Sequence, residues 1–354
     1  MKLPRITILA TLLLTVPAAA QLQIAPPATT PSPPAEKQKA KPPAPPKKKE
    51  AAPAPKPSAS PKPALPATVI PAPPTDNSNV DLVFGAYQRG QYKTAFELAT
   101  ARAQAGDPKA MTMLGELYSN AMGIKRDYAK ALEWYKRASD AGDREAMFAL
   151  AMMRIAGRGG PVDKGEAVKL MASAAKLGEP KAAYNLALLY LDGQTLPQDV
   201  KRSAELLRQA ADAGLPEAQY ALATFYKEGT GVPKDPERAV RLLQAASLTD
   251  NVDAEVEYAI ALFNGTGTPK NQPAAVALLR KASRQGSAIA QNRLAWVLIN
   301  GMGTPVDKVE GFKWHLVAKT GGKGDPELDK QLSDLPAEDR AKAEAAARKW
   351  LGAK

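Results

Sequence analysis

The chain has 354 residues, a formal net charge of +12 and no cysteine. The absence of cysteine excludes disulfides, thiolate metal sites and a cysteine nucleophile. Only one histidine, His315, is present, which also excludes a metal site built from several histidines.

The first twenty residues have the organisation of a secretory signal peptide. Lys2 and Arg5 precede a short apolar run over residues 8–16, and three alanines end at Ala20. The run is shorter than the roughly 20 residues that span a bilayer. We therefore expect residues 1–20 to be removed and the protein to be periplasmic or secreted, the alternative being an uncleaved anchor.

Residues 21–78 form a Pro/Ala/Lys-rich segment. Of the 32 prolines, 18 lie between Pro26 and Pro74, and eight lysines face three acidic residues. Because the segment has few large apolar side chains to bury, it is predicted to be a disordered, extended spacer. It is either a passive linker or a means of attraction to the cell wall through residues 47–49. The remaining positive charge is spread thinly, so no nucleic-acid partner is expected.

An identical spacing then recurs six times. Alanine returns every 36 residues, at Ala110, Ala146, Ala182, Ala218, Ala254 and Ala290. A glycine closes most units, at Gly106, Gly142, Gly178, Gly214, Gly286 and Gly322, with Asp250 as the exception. A fixed period of this length indicates a helical repeat array.

Each unit predicts two helices joined by a glycine-containing loop. In residues 218–253, apolar residues recur at helical spacing, Gly229 and Gly231 interrupt the pattern, and Asp235 is placed to cap the second helix. Stacked units predict an all-α, right-handed α-solenoid. We expect an N-terminal capping helical pair over residues 79–109, six repeats over 110–325, and a C-terminal capping helix over 326–354 with Trp350 packing back. No later segment is predicted to cross a membrane.

The pattern A-x-x-x-L-G/A-x-x-Y, G-x-G-x-x-x-D and A-A-x-x-G resembles the Sel-one-like repeat (SLR) family, which is related to the tetratricopeptide repeats. Three local departures are Arg154 at a tyrosine position, Thr195 at a loop glycine and Asp250. The resemblance implies a non-catalytic scaffold that binds proteins or peptides and needs no cofactor. Some exported bacterial members have been linked to β-lactam binding or hydrolysis.

Analogy with tetratricopeptide arrays places partner-binding residues on the first helices, which form a concave face. We predict that the site includes Phe148, Met152, Tyr184, Leu188, Tyr220, Lys227, Phe263, Asn264, Trp296 and Asn300. Aromatic anchors and amides at these positions suit a bound peptide. Two alternatives remain: the aromatic side chains could pack in the core, and the polar residues along one edge of this face could be ordinary solvent-exposed surface.

Catalytic patterns are sparse. His315 has no acidic or serine partner at a recognisable spacing and is expected to be a surface or half-buried structural residue. Ser173-Ala174-Ala175-Lys176 and Lys319-Thr320-Gly321 match two β-lactamase motifs, but both fall on helical packing positions. We expect no enzyme activity and no metal; the alternatives to a scaffold are a cell-wall or polysaccharide-associated protein and, as the weakest, a β-lactam-interacting hydrolase.

Overall fold

A computed structural model describes residues 81–352, and the expected signal peptide and proline-rich segment lie outside this range. The described residues form sixteen α-helices and contain no strand. Their bounds are α1 Leu82–Gln88, α2 Tyr92–Gln104, α3 Pro108–Asn120, α4 Tyr128–Asp140, α5 Arg144–Ala156, α6 Lys164–Lys176, α7 Pro180–Asp192, α8 Val200–Asp212, α9 Pro216–Glu228, α10 Pro236–Ser247, α11 Val252–Asn264, α12 Gln272–Arg284, α13 Ala288–Asn300, α14 Lys308–Thr320, α15 Pro326–Ser333 and α16 Ala337–Gly352.

The second helix of every repeat begins at the predicted capping residue. The Asp235 carboxylate accepts a hydrogen bond from the Arg238 backbone N–H at 2.9 Å, which satisfies one of the free donors at the start of α10. The same role is filled in the other repeats by Asp127, Asp163, Asp199, Asn271 and Asp307. These caps fix where each glycine-containing loop ends.

The two loop glycines have separate roles. Gly229 ends α9 in the left-handed region, with φ 81°. Gly231 has φ 68°, and a Cβ atom there would lie 2.7 Å from the carbonyl oxygen of Val200, which begins the second helix of the preceding repeat. This close approach joins successive repeats. Thr195 breaks the pattern: the only positive-φ non-glycine residues in the described range are Ala121 and Asp250, so the third-repeat loop lacks this left-handed residue.

Asp250 preserves the geometry of the glycines it replaces. Its φ is 59°, in the left-handed region that Gly214 and Gly286 occupy at the equivalent turns. Asparagine and aspartate tolerate this region better than other residues with a side chain. The turn between α10 and α11 therefore keeps its left-handed residue, while α10 is one residue shorter than the second helices of the other repeats.

Small residues let consecutive helices pack closely. Ala151, Ala174 and Ala246 are fully buried. A Cβ atom at Gly115 would lie 2.6 Å from the Tyr135 ring, so glycine is required where the partner is a tyrosine rather than the methionine, leucine or histidine of the other repeats. Each helix from α1 to α14 contacts the next along the chain, α16 packs against α14, and buried clusters span neighbouring repeats. The predicted α-solenoid is confirmed for the described residues.

The ends of the array differ from its middle. At the N-terminal end, Arg102 stands where later repeats have a buried alanine, and its side chain is 46% exposed and pairs with Asp81 at 2.9 Å. At the other end, the Trp350 ring packs edge-on against Trp314 with centroids 5.1 Å apart. The region expected as one capping helix contains two, α15 and α16, because Pro336 separates them.

Candidate partner-binding face

An open groove crosses the first helices of the array. Its main part has a volume of about 610 Å³ and is lined by residues of α3, α5, α7 and α9, including Phe148, Lys181 and Pro216. A second part of about 330 Å³ extends to Asp81 and Phe84. The two parts share Thr112, Glu116 and Glu145. We call the combined surface the N-terminal groove.

Hydrogen bonds between repeats hold the wall of the N-terminal groove. The Tyr87 hydroxyl donates to Glu116 Oε1 at 2.7 Å, and the Thr112 hydroxyl donates to Asp143 Oδ1 at 3.0 Å. Burial and the hydrogen bond to Glu116 raise the pKa of Tyr87, so this phenol stays protonated as a donor. The wall thus presents polar groups whose positions are already fixed.

The floor of the groove joins the second and third repeats. Arg144 Nη1 donates to the carbonyl oxygens of Leu177 and Gly178, both at 3.2 Å, and Arg144 Nε lies 3.7 Å from Glu179 Oε2. Glu179 is 6% exposed, and its burial raises the pKa of its carboxyl group. Arg144 therefore bridges α5 and the turn that precedes α7.

The ten predicted face residues differ in exposure. Phe148 is half-buried and lines the N-terminal groove, while Met152 is 40% exposed on the next turn of α5. Tyr184, Leu188 and Tyr220 are half-buried, so each presents part of its side chain to solvent. The other exposed members of the set are Lys227, Asn264 and Asn300.

Two of the predicted residues are occupied by packing within the chain. Phe263 is only 6% exposed and belongs to the hydrophobic core, as do Leu191 and Ile299 at the equivalent positions. Trp296 Nε1 donates to Asp325 Oδ2 at 3.0 Å, in the turn before α15. The segment that follows α14 therefore contacts the face of the last repeat, and the more open surface lies in the earlier repeats.

Carboxylates surround the Tyr220 ring. Burial raises the pKa of Tyr220, and the negative charges of Glu257, Asp253 and Glu228 raise it further. One cation in this neighbourhood, Lys227, pairs with Glu257 at 2.8 Å. The Tyr220 ring therefore lies in a negatively charged part of this face.

The groove contains residues that the repeat register did not identify. Asp81, Phe84 and Tyr87 lie at or within α1, which precedes the first full repeat. Glu145 and Lys181 lie near the starts of α5 and α7, one turn before the predicted residues Phe148 and Tyr184. The available signal in the sequence was a pair of aromatic residues, Phe84 and Tyr87, on a short helix ahead of the first full repeat. In the structure, Phe84 is 51% exposed.

His315 is fully buried, and the expectation of a surface or half-buried residue is wrong. It occupies the position that Leu207 and Leu279 hold in other repeats, both of them buried. Its Nε2 lies 2.9 Å from Asp329 Oδ1, on α15. Because α15 lies outside the repeats, repeat spacing did not reveal this partner.

The described residues do not bring the two β-lactamase-like motifs together and contain no candidate metal cluster. Ser173 is exposed near the end of α6, and Lys319-Thr320-Gly321 closes α14, four repeats later. Within residues 81–352, no group of three or more acidic or histidine side chains is placed to hold a metal ion. In the same range, no helix combines the length and hydrophobicity needed to cross a membrane.

One family model and solved structures of other proteins are similar to this chain. A family model for the Sel1 repeat matches residues 108–143, 144–179, 180–215, 216–248, 252–287 and 288–322. The fold is similar to that of a Sel1 repeat protein from Oxalobacter formigenes, with 27% identity, a TM-score of 0.61, and coverage of 69% of this chain and 100% of that one. It is also similar to a protective antigen present in uropathogenic Escherichia coli strains, which displays an SLR fold, with 24% identity, a TM-score of 0.51, and coverage of 76% and 67%. No curated protein matches the sequence significantly.

Proposed function

The chain belongs to the Sel1 repeat family, and on this premise we propose that it is an exported, non-catalytic scaffold that binds protein or peptide partners. The proposed binding surface is the concave face formed by its first helices. Sel1-repeat solenoids serve in general as protein-interaction modules, and no cofactor is needed for that role.

The observation that carries the proposal is the N-terminal groove. A volume of about 610 Å³ is in the range of ligand-binding clefts, and its walls combine the Phe148 ring with fixed polar groups. Beyond the groove, Tyr184 and Tyr220 expose part of their rings along the same helices. Partly exposed aromatic side chains contribute strongly to binding in protein interfaces.

Crosslinking in the native cell, followed by mass spectrometry, tests the proposal. We expect Phe148→Ala and Tyr220→Ala to reduce capture of the same partner set by at least about tenfold, which corresponds to about 1.4 kcal/mol. Leu248→Ala is the matched control, because Leu248 is 80% exposed in the turn after α10 and does not line the groove. Unchanged capture with both face variants would show that partners do not bind there.

Export rests on the sequence of residues 1–20 and is tested separately. Fractionation of the native cell is expected to place the protein outside the cytoplasm, with a mature N-terminus at Gln21. A cytoplasmic protein that retains Met1 would overturn the proposal of export but would not contradict the proposed binding face.

A further inference from the structure

We propose that the first-helix surface around Tyr184 and Tyr220 binds a lysine- or arginine-bearing segment of a partner protein. We call this surface the acidic tyrosine face. It is defined by Tyr184, Glu217, Tyr220, Glu228, Asp253 and Glu257. This partner chemistry rests on the proposed function, since the acidic tyrosine face is part of the proposed binding surface.

Negative charge is concentrated on the three first helices that carry this face. Helices α7, α9 and α11 contain six acidic and two basic residues, a net charge of −4. The second helices that follow each of them, α8, α10 and α12, contain three acidic and eight basic residues, a net charge of +5. The whole chain carries a net charge of +12. A basic protein therefore presents a locally negative face, which favours a cationic partner.

Most carboxylates of the face are not neutralised by the chain itself. Lys227 pairs with Glu257 at 2.8 Å. None of the ion pairs within residues 81–352 involves Glu217, Glu228 or Asp253. All three side chains are exposed, so a cation of a partner can reach them without displacing an existing contact.

The two tyrosine rings of the face are not covered by a cation of the chain. Elsewhere in the array, Tyr118, Tyr190 and Tyr226 each have a lysine or arginine 5.3–5.6 Å from the ring centre. No cation–π contact within residues 81–352 involves Tyr184 or Tyr220. Both side chains are half-buried, so packing holds each ring while part of it faces solvent. An open ring beside unpaired carboxylates suits a lysine or arginine side chain.

The carboxylates lie close enough to the rings to act on the same ligand group. Burial raises the pKa of Tyr220, and three carboxylates of α9 and α11 raise it further. Burial and then the charge of Glu217 raise the pKa of Tyr184. The field that opposes a negative phenolate at these positions attracts a positive group placed over the ring.

The spacing of the rings fits an extended segment. Tyr184 and Tyr220 occupy the same position in consecutive repeats, 36 residues apart. First helices of consecutive repeats lie on the order of 10 Å apart when both pack on the intervening helix. An extended chain rises about 3.3 Å per residue, so three residues cover this distance. The face therefore matches basic side chains that are three residues apart.

Binding of synthetic peptides to the full chain tests the proposal. The probe is a fluorescein-labelled peptide with lysine at every third position among serine and leucine residues, and the reference peptide has glutamine at those positions. Fluorescence anisotropy at low ionic strength is expected to show at least about tenfold tighter binding of the lysine peptide. Equal affinities for the two peptides, or no binding of the lysine peptide, would overturn the proposal.

Charge variants locate the binding surface. Glu217→Gln with Asp253→Asn should weaken binding of the lysine peptide at least about tenfold and leave binding of the glutamine peptide unchanged. Glu133→Gln with Glu205→Gln is the matched control, because it makes the same charge change at exposed carboxylates of α4 and α8. The control should change the affinity by less than about twofold. Equal losses from both pairs would contradict binding at the acidic tyrosine face.

Ring variants test the contact with the cation. Tyr220→Phe keeps the aromatic face, whereas Tyr220→Leu keeps only an apolar side chain. We expect Tyr220→Leu to bind the lysine peptide about threefold or more less tightly than Tyr220→Phe. Circular dichroism confirms that each variant is folded. Equal affinities of the two folded variants would show that the ring does not bind the cation.

The two proposals fail in different ways. Native partner capture that depends on Tyr220, combined with equal affinities for the lysine and glutamine peptides, would overturn the cationic partner alone. Lysine-specific binding that is lost with Glu217→Gln and Asp253→Asn would support the cation-binding face. If capture then ignored both Phe148→Ala and Tyr220→Ala, the proposed site for native partners would be overturned.

Discussion

Arg154 and Glu166 form an ion pair, with Nε and Oε2 2.9 Å apart, at a position where three other repeats pair a tyrosine ring with a cation. The equivalent pairs are Tyr118 with Lys130, Tyr190 with Arg202 and Tyr226 with Arg238, with the cation 5.3–5.6 Å from the ring centre. Both members of the pair change together in the second repeat. The contact between the two helices is thus retained with different chemistry.

This relationship predicts that the Arg154–Glu166 ion pair can be replaced by a tyrosine–cation pair. The Arg154 side chain is 17% exposed, so Glu166→Ala leaves a mostly buried guanidinium without its partner and should cost about 1–2 kcal/mol. Arg154→Tyr combined with Glu166→Arg recreates the pair of the third repeat and should recover most of that loss. Urea unfolding at neutral pH measures both effects.

An exposed ion pair is the control for this exchange. Glu237 and Arg241 lie 4.0 Å apart on α10, with side chains 77% and 64% exposed. Glu237→Ala is expected to cost less than about 0.5 kcal/mol. If Glu166→Ala costs no more than this control, the pair does not stabilise the helix contact.

The second prediction concerns the loop glycine that joins successive repeats. Gly231→Ala places a methyl group against the Val200 carbonyl and also forces alanine into a left-handed conformation. Gly214 has φ 86°, but a Cβ atom added there would have no neighbour within 4 Å, so Gly214→Ala meets only the conformational cost. Thermal unfolding should therefore show Gly231→Ala to be less stable than Gly214→Ala by at least about 1 kcal/mol. Equal unfolding midpoints for the two variants would mean that the loop accommodates the added methyl group without losing stability.

The fold follows from the sequence because its determinants are local and repeated. The contacts of the capping residues, the left-handed glycines and the buried alanines lie within one repeat or between neighbouring repeats. The same pattern therefore recurs six times in the sequence, and each copy supports the same structure. Even Asp250 fits, because the turn it occupies accepts a left-handed residue. The departure at Arg154 was identified from the sequence, but its pairing with Glu166 was not, although the two residues have the same twelve-residue separation as Tyr118 and Lys130.

The candidate site is less accessible to sequence reasoning. Repeat register places Phe263 and Lys227 at the same position, yet Phe263 is buried and Lys227 is exposed, because burial depends on the packing of each unit against its neighbours. The N-terminal groove depends on α1, and the Asp329 partner of His315 lies on α15. Neither helix belongs to the repeats, so periodicity carries no information about their contacts.

The third prediction is an acid-sensitive contact at the C-terminal end. Asp329 accepts hydrogen bonds from Lys319 at 2.8 Å and lies 2.9 Å from His315 Nε2, and these groups lower the pKa of the Asp329 carboxyl. A carboxyl whose pKa is lower in the folded state contributes stability above its unfolded pKa of about 3.9, and this contribution is lost as the pH falls through the folded value.

Asp329→Asn should therefore lose less stability than the wild type on acidification below about pH 4. The Asp329 side chain is 38% exposed, so solvent screening keeps the difference below about 1 kcal/mol. Urea midpoints at pH 7, 5, 3.5 and 2.5 give the comparison, with Glu133→Gln as a control at a carboxylate of α4. Identical acid profiles for Asp329→Asn and the wild type would contradict the role assigned to this contact.

The last prediction concerns the buried carboxylate of Glu255. This residue is fully buried, and its Oε1 lies 2.6 Å from Lys281 Nζ. Lys281→Met removes that cation and should cost about 2–3 kcal/mol, somewhat less than is usual for a broken buried pair because Lys281 is itself 40% exposed.

Two neighbouring repeats show how the loss can be rescued. Gln219 and Gln291 occupy the position equivalent to Glu255, and each donates to the backbone carbonyl eight residues earlier, Ala211 and Ser283, at 3.3 and 3.1 Å. Glu255→Gln should make the same bond to the Ser247 carbonyl without needing a cation. We therefore expect Lys281→Met to destabilise the wild type but to change the stability of Glu255→Gln by less than about 1 kcal/mol. A double-mutant cycle by urea unfolding gives this coupling, and equal losses in the two backgrounds would show that Lys281 does not stabilise the buried carboxylate.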